Sequence, residues 1–303
     1  MLGRRLKKSA TIGLIAPSSN IKPEIVKKGI HYIKNLGFNI ACGKNLLNQY
    51  GYLAGNDIER ASDINNMFLD PKIDMLLCVR GGYGAIRTLP YINLSSIKKN
   101  PKIFLGFSDI TVLLNTFYQK CNLITFHGPM LNSKFSEASI NNLLQAIMDG
   151  YAPYIISSPS DLKTKSNCNS TVYGTLVGGN LSVLCSMLST PYEISTDNKI
   201  LLLEDVGEEP YKIDRFLTQL LLANKLQNCK AILLGQFTAC TSSITDSFSV
   251  EEVIKERLFP LNLPVVYNFM IGHDTPNLTL PIGAFIRLNC RNGEIELLEA
   301  VVK

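Results

Sequence analysis

Along the first half of the chain, short apolar runs alternate with longer segments in which apolar residues recur at helical spacing. The short runs fall at 11–16, around Ile40, and at 75–79, 103–105 and 124–126, and the helical ones at 25–36, 58–68 and 112–118. Such alternation predicts βαβ units built around a parallel sheet. From residue 150 the pattern changes. Residues 151–170 are rich in Pro, Ser, Asn and Lys with little periodicity, which predicts a linker. Beyond it, runs at 171–177, 199–203, 231–237, 264–269, 285–289 and 294–298 predict strands, and 181–188 and 213–222 predict helices. The expectation is an α/β chain, with a parallel-sheet domain at 1–150 and a smaller, β-rich domain at 171–303. No internal repeat or low-complexity tract interrupts it.

Composition narrows the class. A chain of 303 residues with 46% hydrophobic and 18% charged residues is that of a globular protein with a large core. No apolar run approaches the roughly 18 residues that span a bilayer, so no membrane partner is expected. The start imitates a leader, with Arg4, Arg5, Lys7 and Lys8 ahead of an apolar stretch at 11–16. The stretch is short and no small-residue cleavage site follows, so a first buried strand and a cytoplasmic location are the better reading. Eight cysteines, none within ten residues of another, show neither a C-x-x-C knuckle nor a dense disulfide framework. The net charge of +5 comes from scattered lysines, which argues against nucleic acid and suits an acidic small substrate.

Candidate chemistry starts at residues 103–114, where an apolar run ends in Gly106 and an apolar helical run follows Phe107-Ser108-Asp109. This reads as strand, sharp turn and helix, with Ser108 at the turn. A serine hydroxyl there stands clear of the sheet, beside the amides that open the helix. Serine is also a preferred helix cap, so Ser108 needs a base and an acid elsewhere to count as a nucleophile. The loop Arg80-Gly81-Gly82-Tyr83-Gly84 also falls at the carboxyl end of a predicted strand, where ligands bind in such sheets. Its glycines free backbone amides to donate. It matches no nucleotide-binding pattern, and no cofactor is expected.

The three histidines allow a search for the base by elimination. His31 lies among lysines on an amphipathic segment, and His127 ends a short apolar run before Gly128-Pro129. His273 stands in the Gly- and Pro-bounded loop Ile271-Gly272-His273-Asp274-Thr275-Pro276, where positioned groups are commonly found, and is the candidate base. Glu204 ends the apolar run 200–203, where an unpaired charge is costly. Either it orients a histidine or it pairs with Lys212 or Arg215, and Asp205 beside it faces the opposite side of a strand. No H-E-x-x-H or related spacing supports a metal site, and nothing selects two acids for glycosidase chemistry.

These segments together resemble the LD-carboxypeptidases, serine peptidases that include murein tetrapeptide carboxypeptidases and microcin C self-immunity peptidases. The resemblance runs through Gly13-Leu14-Ile15-Ala16-Pro17-Ser18, Tyr52-Leu53-Ala54-Gly55-Asn56-Asp57, Arg80-Gly81-Gly82-Tyr83-Gly84, Gly106-Phe107-Ser108-Asp109-Ile110-Thr111, Gly178-Gly179-Asn180-Leu181, Leu203-Glu204-Asp205-Val206-Gly207-Glu208, and Gly272-His273 to Leu280-Pro281-Ile282-Gly283. It implies a flavodoxin-like parallel-sheet domain joined to a smaller β-rich domain, usually as a homodimer. It also implies a triad of Ser108, Glu204 and His273, with the backbone amides of Gly82 and Asp109 as oxyanion donors and neither metal nor cofactor. The substrate implied is a muropeptide that loses a C-terminal D-alanine, or, in the immunity branch, an aminoacyl nucleotide. Immunity members stack a tryptophan on adenine and this chain has none, which favours the murein peptide. With nucleophile and base in different domains, a site would need both. Ser189 stands where the family usually has glycine.

Overall fold

The computed structural model describes residues 1–151, 153–158 and 164–303. Fourteen strands follow in chain order among them: β1 (Thr11–Ile15), β2 (Asn39–Cys42), β3 (Met75–Cys78), β4 (Ile103–Gly106), β5 (Thr125–His127), β6 (Tyr154–Ile156), β7 (Lys165–Ser166), β8 (Thr171–Asn180), β9 (Lys199–Val206), β10 (Ala231–Thr238), β11 (Val265–Tyr267), β12 (Leu280–Ile282), β13 (Phe285–Asn289) and β14 (Glu294–Leu297). The run read as an imitation leader is β1, inside the first sheet.

The chain divides into two compact units. The first comprises Met1–Tyr151, Thr279–Gly283 and Val301–Lys303. Its sheet runs β12-β5-β4-β3-β1-β2, with β12 antiparallel to β5 and every other pairing parallel. The parallel strands follow the order 2-1-3-4-5 of flavodoxin-like sheets, in which ligands gather beyond the carboxyl ends. Strands β3 and β4 are buried along their whole length, as a sheet covered on both faces requires. One face carries Phe68, Phe104 and Phe117, whose ring centroids lie 4.9–6.1 Å apart. Helix Asp57–Leu69 starts on a capping box between Asn56 and Glu59, which fixes where the chain turns off the preceding loop.

The second unit comprises Ala152–Leu278 and Ala284–Ala300. Its sheet runs β6-β14-β13-β8-β9-β10-β11-β7, parallel from β8 to β11 and antiparallel on both flanks. Strand β8 reaches Asn180, past the glycines that make a shorter strand the natural reading of the sequence. A Cβ on Gly178 would stand 2.1 Å from the Leu202 carbonyl oxygen, so glycine is what lets β8 and β9 pair there.

The boundaries differ from those read off the chain. Strands β6 and β7 lie within the stretch expected to be a linker and pair with β14 and β11. They are too short to show a period, and residues 152 and 159–163 of that stretch lie outside the described residues. The β-rich portion is also not continuous, because 279–283 and 301–303 belong to the first unit.

Candidate active site

In the first unit, Ser108 stands one residue beyond the end of β4, after Phe107, and opens a single helical turn that leads into helix Thr111–Cys121. Its φ is +63°, a left-handed conformation that a residue with a side chain adopts at a cost of roughly 1–3 kcal/mol. The strain follows from reversing the chain within one residue of a buried strand, and it leaves Ser108 half-exposed between buried Phe107 and Asp109. The glycine-rich loop packs against this turn: a Cβ on Gly81 would stand 2.9 Å from Ser108 Cβ and 3.0 Å from its Oγ. Gly82, exposed with φ +112°, comes next in that loop. Neither the Gly82 nor the Asp109 amide donates a hydrogen bond among the described residues.

Two buried charges hold the loop in place. The Asp109 carboxylate accepts from Ser18 Oγ at 2.6 Å and from the Ala85 amide at 2.8 Å, tying the turn to the loop after β1 and to the helix after the glycines. Burial pushes this carboxyl above its ordinary range, opposed by those two donors and by the Arg60 charge. Arg60, fully buried, donates to the carbonyls of Gly84 at 2.7 Å, Gly55 at 3.2 Å and Pro17, and pairs with Asp57. Ser19 adds a further link by accepting from the Tyr83 amide at 3.2 Å.

In the second unit, Glu204 lies on β9 and is completely buried. Its Oε2 is 2.8 Å from His273 Nδ1, and the imidazole keeps 18% of its side chain exposed. Burial raises the Glu204 carboxyl, while the His273 ring and the Asn180 amide pull the other way. Asn180 sits opposite Glu204 across the β8–β9 ladder. The loop carrying His273 is fixed by backbone contacts. The Gly272 amide donates to buried Asn277 Oδ1 at 3.1 Å, and the Gln236 amide to the Ile271 carbonyl at 2.9 Å. Gly272 has φ +132°, and a Cβ there would stand 3.1 Å from Glu204 Oε2, so the glycine serves both the turn and the approach.

Strand alternation sends Asp205 away from His273. Its carboxylate accepts from the Ser182 amide at 2.8 Å and from Asn180 Nδ2 at 3.0 Å, closing the start of helix Leu181–Ser186. Lys212, the alternative partner for Glu204, pairs with Glu208 at 3.0 Å, and Arg215 lies over the Phe216 ring. His31 is exposed and bonds Asn35 within its helix, whereas His127 is buried in β5 with its ring 5.9 Å from that of Phe107. Ser189, in place of glycine, takes φ +61°, so that turn keeps its left-handed backbone. Sequence reasoning missed Arg60, Ser18, Asn180 and Asn277 as supports. Three of them lay within quoted motifs or beside them, but burial, which sets them apart, is not visible in single polar letters.

Residues 12–128 match the family described as the LD-carboxypeptidase N-terminal domain, and residues 173–288 its C-terminal domain. The chain belongs to the LD-carboxypeptidase family. It is 39% identical to the probable murein peptide carboxypeptidase of Bacillus subtilis, covering 94% of this chain and 91% of that protein. It is 31% identical to the murein tetrapeptide carboxypeptidase of Pseudomonas aeruginosa, with 90% and 91% covered. Among solved structures, that of MccF in complex with glutamyl sulfamoyl guanosine superposes with a TM-score of 0.93 over 100% of this chain and 99% of its own, at 24% identity, which is a likeness of fold. Membership makes the protein a peptidase-family hydrolase with the two-domain α/β fold. No helix among the described residues is long and apolar enough to cross a membrane.

Proposed function

We propose that the protein is a cytoplasmic serine-type L,D-carboxypeptidase that removes the terminal D-alanine from murein tetrapeptides, working as a homodimer. The observation that carries this reading is the buried Glu204 carboxylate 2.8 Å from His273 Nδ1. A carboxylate there holds the ring with its proton on Nδ1, so that Nε2 presents a lone pair, and it stabilises the imidazolium once a proton is taken. Ser108 Oγ attacks the carbonyl preceding the terminal D-alanine and gives its proton to His273 Nε2. The amides of Gly82 and Asp109 receive the oxyanion, which they can do without breaking existing bonds. His273 then protonates the leaving amine, freeing D-alanine and leaving an ester on Ser108. Water, deprotonated by the same histidine, hydrolyses the ester and restores the serine. No metal or cofactor enters these steps.

The murein assignment draws on the two relatives named for murein peptides, on the missing tryptophan, and on the net positive charge, which suits a substrate rich in carboxylates. The test is to incubate the protein with a murein tetrapeptide and follow the products by mass. The expected result is the tripeptide plus free D-alanine. Cleavage of an aminoacyl sulfamoyl nucleotide with no D-alanine released would replace the murein substrate with the immunity one.

A further inference from the structure

Three arginines surround the glycine-rich loop of the first unit, and they are not equivalent. Arg60 and Arg87 both pair with Asp57, Arg87 through Nε to Oδ1 at 3.0 Å and Nη2 to Oδ2 at 3.1 Å. Arg80 has no carboxylate within ion-pair distance among the described residues. It is half-buried, Nη1 donates to the Asn20 carbonyl at 2.9 Å, and Nε is shut off from solvent with no hydrogen-bond partner among those residues. Its Nη2 lies 3.7 Å from where a Cβ of Gly82 would be, so the guanidinium borders the amide assigned to the oxyanion. A partly desolvated cation with unused donors is costly unless an anion completes it, and a guanidinium fork matches a carboxylate through two parallel bonds.

We propose that Arg80 binds the free terminal carboxylate of the substrate and so restricts the enzyme to carboxypeptidase action. The inference rests on the murein reading above and deepens it. The terminal carboxylate belongs to the residue whose amine departs, and it therefore lies within a few bonds of the carbonyl oxygen that enters the oxyanion site. A fixed cation beside the Gly82 amide would accept a substrate ending there and reject one whose chain continues or whose end is amidated. Arg60 and Arg87 are poorer candidates, because both guanidinium groups are engaged by the Asp57 carboxylate and Arg60 is fully buried.

Binding is measured by calorimetry in a Ser108→Ala background, which cannot consume the peptide, using a murein tetrapeptide and the same peptide with a C-terminal amide. The expectation is that the parent prefers the free acid by about tenfold or more, as loss of a charged hydrogen-bonded pair implies. Arg80→Gln should abolish that preference and Arg80→Lys should restore part of it, with thermal melts confirming that the variants fold. A preference that survives Arg80→Gln, or an equal loss for acid and amide, overturns the assignment while leaving the peptidase reading intact. If the unmodified enzyme releases no D-alanine from the tetrapeptide and the Ser108→Ala protein does not bind it, the murein reading falls and this assignment with it.

Discussion

The Ser108 turn and the Glu204–His273 pair each contain a buried carboxylate pushed upward by desolvation, and the two are used in opposite ways. Asp109 is held by neutral donors, the Ser18 hydroxyl and the Ala85 amide, and its effect is to lock backbone. Glu204 is held by an imidazole nitrogen, and in the proposed mechanism its effect is to orient that ring and stabilise its protonated form. The same burial that makes a carboxylate costly thus gives geometry where the partners cannot titrate and chemistry where one can. In the proposed mechanism, the first unit contributes a strained serine and unoccupied amides, and the second one short contact.

The largest effect should come from removing groups that act together. Ser108→Ala and His273→Ala are each expected to lower kcat by about 10³-fold or more, and the double variant little further, since members of a triad fail as a unit. Glu204→Gln keeps the shape but not the charge and should cost on the order of 10³-fold. Steady-state kinetics on the tetrapeptide check this. A Glu204→Gln enzyme within tenfold of the parent would break the contrast, because Glu204 would then be only another structural acid.

A smaller effect should follow from crowding the turn. The added methyl of Gly81→Ala meets the serine's own side chain at 2.9–3.0 Å, so either the loop or Ser108 must move. Displacements of this kind cost up to about a hundredfold in rate. The loss should appear in kcat, with a melting temperature close to that of the parent. An unchanged kcat would mean that loop and serine are not coupled.

The smallest effect concerns pH and separates the two acids. The folded-state pKa of Asp109 lies above its ordinary value of 3.8. Its contribution to stability is therefore fully present below pH 3.8 and lost as the pH rises through the elevated folded value. Asp109→Asn cannot ionise, so it should gain stability relative to the parent as the pH climbs from about 4, and then run parallel to it. Urea unfolding at a series of pH values measures the difference. A difference that does not change with pH would show that Asp109 is not charged against its surroundings.

Much of this was legible beforehand, for physical reasons. Strands such as β3 and β4 are continuous apolar runs because both faces of a parallel sheet are covered, and such runs stand out in any sequence. Ser108, Glu204 and His273 stood out because each placed a reactive or costly group at the end of an apolar run or in a Gly-bounded loop. Strand β12 was not legible. It is three residues long and owes its existence to pairing with β5, which no local pattern encodes. Strand β6 shows the same limit, since its buried Tyr154 and Ile156 alternate with exposed Ile155 over too short a span to give a period. Nothing local marks Arg60, because its burial depends on carbonyls brought together from three separate loops.

The return of residues 280–282 to the first sheet also governs how the protein can be made. A chain emerging in order from a ribosome has β1 to β5 available early, yet the outer side of β5 must wait for a partner from beyond the whole β8–β11 region. Until then a buried strand presents open amides and carbonyls, the kind of edge that recruits other chains. A fragment ending at residue 151 would carry that edge permanently. Cutting between the sequence-defined halves therefore yields a sticky half-sheet, and an expressible first unit would need a graft of 279–283 to close it.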